Sequence, residues 1–144
     1  MGCRMIYKNG TLQPSVRRFP HIWPVFLMFL KIPKILPKLK SIQRYLATDF
    51  NYETAQPADQ VMGAYMFISR AALDKIGLMD EDFFVWFEEV DFCKRAWKAG
   101  YKVMYNPGAK IIHHGGQSFG QQQMVKNQWN FFSSACKYFR KNGI

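Results

Sequence analysis

Three prolines set the first limit on what this chain can fold into. Pro24, Pro33 and Pro37 interrupt an apolar stretch, residues 21–46, that carries Ile22, Trp23, Val25, Phe26, Leu27, Met28, Phe29, Leu30, Ile32, Ile35, Leu36, Leu39 and Ile42. A proline inside a helix removes a backbone donor and clashes with the preceding turn. The stretch therefore predicts short helical pieces, apolar on one side and basic on the other through Lys31, Lys34, Lys38, Lys40 and Arg44. Such pieces either lie on a membrane interface or pack against the rest of the protein with their lysines solvated. The run from Phe19 to Leu30, free of Lys, Arg, Asp and Glu, is too short to cross a hydrocarbon layer about 30 Å thick, and no signal peptide is readable at Met1.

Charge is distributed unevenly. All ten acidic residues fall between Asp49 and Asp91, whereas residues 1–48 and residues 92–144 each carry nine Lys/Arg and no acid. The formal charge of +10 favours phosphate-bearing partners, whether nucleotide, nucleic acid or anionic lipid. Acids framed by two basic flanks suggest a site for a cationic ligand or for a metal-bridged anion. With 144 residues, 49% of them hydrophobic, the chain is one domain or part of one. Cys3, Cys93 and Cys136 form neither a disulfide pattern nor a zinc spacing, which fits a reducing compartment.

Local signals place the elements. Asn9-Gly10 is a turn dipeptide within an irregular or hairpin-like start, and residues 49–59 read as a polar loop. Residues 60–69 are an apolar run suited to a buried strand, Ser69 caps a helix over 70–76, and Gly77 ends it. A second helix covers residues 88–99, ended by Gly100. Residues 101–105 and 110–113 read as two short strands around the Asn106-Pro107-Gly108 turn. A last helix spans residues 121–141, with Met124, Trp129, Phe132, Cys136 and Phe139 as its buried stripe.

The chemistry concentrates between residues 63 and 118. Glu88, Glu89 and Asp91 open a helix, where acids gain roughly 0.3–1 kcal/mol each from the helix dipole. That accounts for one or two of them. Three carboxylates after Phe83-Phe84-Val85-Trp86-Phe87 need compensation by a metal, a cation or a proton, because aromatic surroundings raise the cost of clustered charge. Asp91 and Arg95 stand i,i+4 and form a structural pair; Glu88 and Glu89 are the acid–base candidates. His113-His114-Gly115-Gly116-Gln117-Ser118 sits at a strand end, where imidazole is a candidate metal ligand and the glycines permit close backbone approach. Asp80-Glu81-Asp82 is formally D-x-D, and equally a solvated acidic turn.

Together, Gly63-Ala64, Ser69-Arg70, Gly77, Met79-Asp80-Glu81-x-Phe83-Phe84, Glu88-Glu89-Val90-Asp91-Phe92-x-x-Arg95, Ala99-Gly100-Tyr101, Pro107-x-Ala109 and His113-x-Gly115-Gly116-x-Ser118 closely resemble the C-terminal, acceptor-side half of inverting family-2 glycosyltransferases of the GT-A fold, particularly the rhamnosyltransferase-like group. Residues 9–20 look like the segment preceding that block. The resemblance implies an α/β fold, a partial GT-A domain with a small mixed sheet and flanking helices. Residues 1–59 would be a basic, proline-interrupted segment and loop, and residues 60–144 the acceptor-side half.

By the same resemblance Glu89 is the general base, and glutamate in place of the family's more common aspartate reaches one methylene further. Glu88 positions the acceptor or the base, Asp91 and Arg95 hold the helix, and His113 meets a metal–diphosphate, with Mg or Mn as the cofactor expected in the complete enzyme. Trp86, Gly115, Gly116 and Ser118 belong to acceptor-side loops. Implied partners are a nucleotide-sugar donor, a saccharide or lipid-linked acceptor of the cell envelope, and an anionic membrane surface, with work on the cytoplasmic side at the inner face of the membrane. The family's nucleotide-binding half and its D-x-D have no counterpart before Met1, and Asp80-x-Asp82 lies too late to be that motif. The expectation is an acceptor-side piece, inactive without a donor half, which a separate chain could supply. The alternative is a non-catalytic module of the same fold that binds a membrane surface or a partner. Nucleic acid is the third choice, since no recognised binding motif is present.

Overall fold

In the computed structural model, which describes residues 1–83, 85–114 and 124–143, the chain forms a mixed α/β layer compatible with a partial GT-A-like fold. The four-stranded sheet has the order β2-β1-β6-β4, with β1 (Gly2–Ile6) at its centre, β2 (Leu12–Gln13), β4 (Gln56–Pro57) and β6 (Met104–Ile112). β1 runs parallel to β6 and antiparallel to β2, and β4 is antiparallel to β6. A separate antiparallel pair joins β3 (Val16–Arg17) to β5 (Gln60–Val61). Strands from residues 1–59 are thus interleaved with β6 in one sheet.

The Asn9-Gly10 signal works as a hairpin turn. Gly10 takes φ +83°, and the Asn9 Oδ1 accepts from the Thr11 backbone N–H at 3.1 Å and hydroxyl at 2.7 Å. Along β6 the register jumps from Cys3↔Asn106 to Arg4↔Lys110. The two short strands expected here are therefore one strand with a bulge. Pro107 has no N–H to give the ladder, and Asn106 Oδ1 satisfies the Gly108 N–H at 2.9 Å instead.

The proline-interrupted stretch breaks as expected into α1 (Ile22–Phe29), a 3₁₀ turn (Ile32–Lys34) and α2 (Lys40–Tyr45). Pro24 stands in the first turn of α1, where a missing N–H costs nothing. The apolar run of residues 60–69 yields only β5 as strand; beyond it the chain leaves the ladder, and Phe67 pairs its backbone with Met1. Ser69 then caps α3 (Arg70–Ile76) through Ala72 N–H at 3.3 Å, and Gly77, φ +77°, ends it. α4 (Glu88–Lys98) follows, closed by Gly100 at φ +85°, and α5 (Met124–Asn142) completes the described chain.

α4 separates two apolar clusters. Cys93 and Ala96 face Val16, Val61, Tyr52 and Tyr105, whereas Val90 joins Val25, Phe83, Phe87, Tyr138 and Phe139 beneath α5. The stripe expected on α5 is displaced. Ala135, Tyr138 and Phe139 are buried with Phe131 beside them, while Trp129 is 67% and Phe132 43% exposed and Cys136 is exposed. Met124 lies where side chains are not described. At Gly2 an added Cβ would stand 2.7 Å from Val61, so the close approach of β1 to β5 requires glycine.

Candidate active site

Two residues in the left-handed region deliver the chain to α4. Trp86 (φ +61°) and Phe87 (φ +70°) each oppose a preference of about 1–2 kcal/mol. Aromatic packing against α5 holds them there: Trp86 meets Phe131 edge-on at 5.4 Å, and Phe87 lies 5.7 Å from Phe131 and 5.4 Å from Tyr138. The expected acceptor-loop residue Trp86 is accordingly a partly buried wedge beside Met28 and Phe29. The turn places Glu88, Glu89 and Asp91 in the first turn of one helix.

Asp91 faces inward and is 1% exposed. It accepts from Arg95 Nε at 2.8 Å and from Lys141 Nζ at 3.0 Å. Arg95 also donates to the Ile76 carbonyl, and to that of Leu78 at 2.8 Å, while Lys141 reaches Asp80 Oδ2 at 2.5 Å. The i,i+4 pair is thus the centre of a clasp that ties α3, the acidic turn and α5 to α4. Asp80 is held below the usual carboxylate range chiefly by its hydrogen bond from Lys141. Asp82 has its carbonyl taken by Lys137 Nζ at 2.5 Å, so the formal D-x-D turn is tied to cations of α5.

Among the described residues Glu88 and Glu89 have no such partners. Each is half-buried as a residue, yet its Oε2 is closed off from solvent without a hydrogen bond. Burial first, and the neighbouring Glu88 charge second, push the Glu89 carboxyl up to about 7, against the pull of the Glu89 and Val90 backbone N–H groups. Glu88 is raised by burial too. Gly63 lies against the Glu89 side chain: a Cβ there would be 3.5 Å from Glu89 Cβ. The Tyr45 phenol and the Cys93 thiol both feel the Glu89 charge, and burial chiefly lifts them to about 12 and about 11.

His113 is placed by the sheet. Its N–H continues the ladder to Ile6 O at 3.0 Å, and its Nδ1 lies 3.1 Å from Gln13 Oε1. His114 is exposed. Gly115, Gly116 and Ser118 lie outside the described residues. Among the described residues no group of three His, Cys, Asp or Glu side chains gathers that could hold a metal. The described residues of this chain do not by themselves make up a site for the Mg or Mn ion expected in the complete enzyme.

No protein-family model matches the chain, and no solved structure matches it. Curated relatives do match it. The N-acetylglucosaminyl-diphospho-decaprenol L-rhamnosyltransferase of Mycobacterium tuberculosis is 31% identical over 78 residues, 51% of this chain and 25% of the relative. The low-salt glycan biosynthesis hexosyltransferase Agl10 of Haloferax volcanii is 42% identical over 89 residues, 62% of this chain and 28% of the relative. Both relatives are glycosyltransferases. The resemblance to part of a family-2 glycosyltransferase is thereby shown over half of the chain or somewhat more, and the match spans about a quarter of each relative's length.

Sequence reasoning missed three residues of this region. Lys141 is fifty residues from Asp91, and no local spacing announces that contact. Tyr45 feels the Glu89 charge and Lys94 rests over the Phe19 ring; their only signal in the sequence is membership of basic, aromatic segments.

Proposed function

We propose that the chain is the acceptor-side part of an inverting glycosyltransferase in which Glu89 is the general base. An acceptor hydroxyl gives its proton to the Glu89 carboxylate as its oxygen bonds to the anomeric carbon of a nucleotide-sugar. The nucleoside diphosphate leaves with the bonding electron pair, and the anomeric configuration inverts. The observation that carries this reading is the Glu89 oxygen without a partner beneath Gly63, on a carboxyl whose proton affinity is raised to about 7. A base works best when its pKa lies near the operating pH.

Glu88 supports the acceptor or the base. His113 Nε2 faces the donor diphosphate, whose nucleotide and Mg or Mn ion are held mainly by a donor-binding half, in the same protein or a separate chain. Without that half the chain is inactive. The acceptor is a cell-envelope saccharide or a lipid-linked one, reached from the cytoplasmic side of the membrane. The relative from M. tuberculosis makes a nucleotide-rhamnose the first donor to test.

In the presence of a donor half, Glu89→Gln is expected to cut turnover about 10²–10⁴-fold with donor binding nearly intact, and His113→Ala to weaken donor binding. Near-normal turnover in Glu89→Gln with loss in Glu88→Gln would move the base one residue earlier; activity in both would remove the catalytic assignment. One observation favours a second reading, a non-catalytic membrane-binding module: α1 leaves Ile22, Trp23, Phe26 and Leu30 between 46% and 60% exposed. Membrane binding by a chain that shows no transfer with any donor half would select it. No helix among the described residues is long and apolar enough to cross a membrane.

A further inference from the structure

α5 is apolar on two faces. One, with Phe131, Ala135, Tyr138 and Phe139, packs inside the molecule, and the other carries Trp129, Phe132 and Cys136 to the surface. The outer face does not end at α5. Phe132 lies 5.3 Å from Phe29 of α1, and Phe132 and Cys136 share a groove with Ile22 and Phe26, 54% and 46% exposed. An aromatic side chain buries about 150–250 Å² when covered, so the exposed parts of these groups, with the stems of the flanking cations, offer about 500 Å². A contiguous apolar patch of that size marks an interaction site.

The pattern on α5 says which partner fits. Trp129, Phe132, Ser133, Cys136, Lys137 and Arg140 line one cavity, at intervals of three, one, three, one and three residues. That spacing reads the same in both directions. The chemistry does not, for aromatic rings stand at one end, small side chains in the middle and cations at the other. A second copy laid antiparallel on this stripe sets Trp129 opposite Arg140 and Phe132 opposite Lys137, each contact occurring twice about a two-fold axis. Ser133 then faces Cys136 at the centre, where small side chains let helix axes approach to about 8–10 Å. Parallel pairing would instead set Arg140 against Arg140.

Both ends are open to this contact. Trp129 is 67% exposed, and Arg140 is exposed with no ion pair among the described residues, so a guanidinium can lie over the indole face. Lys137 is held at its head by the Asp82 carbonyl at 2.5 Å and contributes its stem. The acids Asp80 and Asp82 line the same cavity. An anionic bilayer repels such a rim, whereas a second copy brings cations to it.

We infer that the chain pairs with a second copy of itself through the outer face of α5, antiparallel about Ser133 and Cys136, with Trp129 of each copy on Arg140 of the other. Two faces of about 500 Å² give about 1,000 Å² in all, the lower bound of a specific interface. A weak dimer is expected, with Kd of about 1–100 µM. The inference goes beyond the catalytic reading and does not use Glu88, Glu89 or His113.

Sedimentation equilibrium of the chain without lipid, from about 1 to 300 µM, is expected to show monomer and dimer in exchange. Trp129→Ala and Arg140→Ala should each weaken pairing about tenfold or more. Trp129→Lys should abolish it by opposing two cations, and Trp129→Lys/Arg140→Glu should restore it, since the new charges attract across the axis. All these positions are exposed, and circular dichroism checks each variant's fold. Cys3 and Cys93 are buried and Cys136 is exposed, so a short bis-maleimide should join two wild-type chains and leave Cys136→Ser unjoined.

A monomer at every concentration, or a dimer unchanged by Trp129→Lys, overturns the inference. So does a chain that stays monomeric in solution yet floats with phosphatidylcholine vesicles, which gives the face to a bilayer. Loss in Trp129→Lys without recovery in the double variant removes the antiparallel pairing and with it the inference. Glu89→Gln should pair like the wild type, so failure of the catalytic reading and failure of the dimer are separate results.

Discussion

Asp91 and Glu89 stand two residues apart on α4, both with carboxylate oxygens sheltered from water, yet among the described residues Asp91 is met by Arg95 and Lys141 and Glu89 by no cation. A buried charge is tolerable when opposite charge and hydrogen bonds replace the lost water, and costly otherwise. On the Asp91 side the chain invests in structure, because removing one partner strands the others. On the Glu89 side the cost shows as an increased affinity for a proton, which is the property a base near neutral pH needs. Position on the helix circumference separates the roles: one face meets α5, the other meets Gly63 and Tyr45.

The largest effect expected on stability comes from cutting the clasp. Breaking a buried ion pair by removing one member costs about 3–5 kcal/mol. Partial exposure of Arg95 and Lys141, 23% and 39%, puts Asp91→Ala at about 3 kcal/mol, with Asp91→Asn milder. Urea unfolding measures it. A loss below about 1 kcal/mol, the range of a surface pair, would mean the clasp is decoration.

The two sides should also answer pH in opposite senses. Glu89 has a folded pKa above the ordinary carboxylate value, so its contribution to stability is full below about pH 4.5 and is lost as pH rises toward about 7. Relative to Glu89→Gln, the wild type should lose about 3 kcal/mol across that window, since each tenfold gain in proton affinity is worth about 1.4 kcal/mol. Asp80 is depressed by Lys141, and its contribution instead disappears as the solution becomes acidic. Unfolding curves of both proteins at several pH values test the sign. A stability difference independent of pH would show that Glu89 is not strained by burial.

Part of this arrangement is legible in the sequence alone. The Asp91–Arg95 spacing, the Ser69 cap, Gly77 and Gly100 are local codes, in which the physics acts within four residues and the sequence shows all of it. The proline breaks of residues 21–46 are of the same kind. What is not legible depends on distant surfaces. β1 pairs with β6 a hundred residues away, and the bulge at Asn106 appears only when β1 supplies the register. On α5, Trp129, Phe132 and Cys136 repeat with helical spacing as well as Phe131, Ala135 and Tyr138 do. Period alone cannot tell which face meets α4 and the wedge at Trp86 and Phe87. The missing partner of Glu89 is likewise a property of the packed molecule; the sequence shows three acids and no sign of which one α5 would neutralise.

A smaller effect belongs to Lys141→Gln. Arg95 remains on Asp91, and the lost contacts to Asp80 and Asp91 come from a lysine 39% exposed, so solvent already screens much of their strength. About 1 kcal/mol is expected, measured by urea unfolding. A loss as large as that of Asp91→Ala would make Lys141, rather than Arg95, the main counter-charge.

The smallest effect is the most discriminating. Glu88 is the second cause of the raised Glu89 pKa, after burial. Replacing Glu88 by glutamine removes the adjacent negative charge but keeps the shape, so the Glu89 carboxyl should titrate lower than in the wild type while staying above an ordinary glutamate. Carboxyl-carbon NMR on a chain labelled at glutamate, with Glu89→Gln to assign the resonance, reads this directly. If the Glu89 titration does not move, the two carboxylates do not share a field, and Glu88 cannot tune the base. If it falls to the ordinary value, repulsion rather than burial had raised it, and the contrast with Asp91 would rest on a neighbouring charge instead of on the absence of a partner.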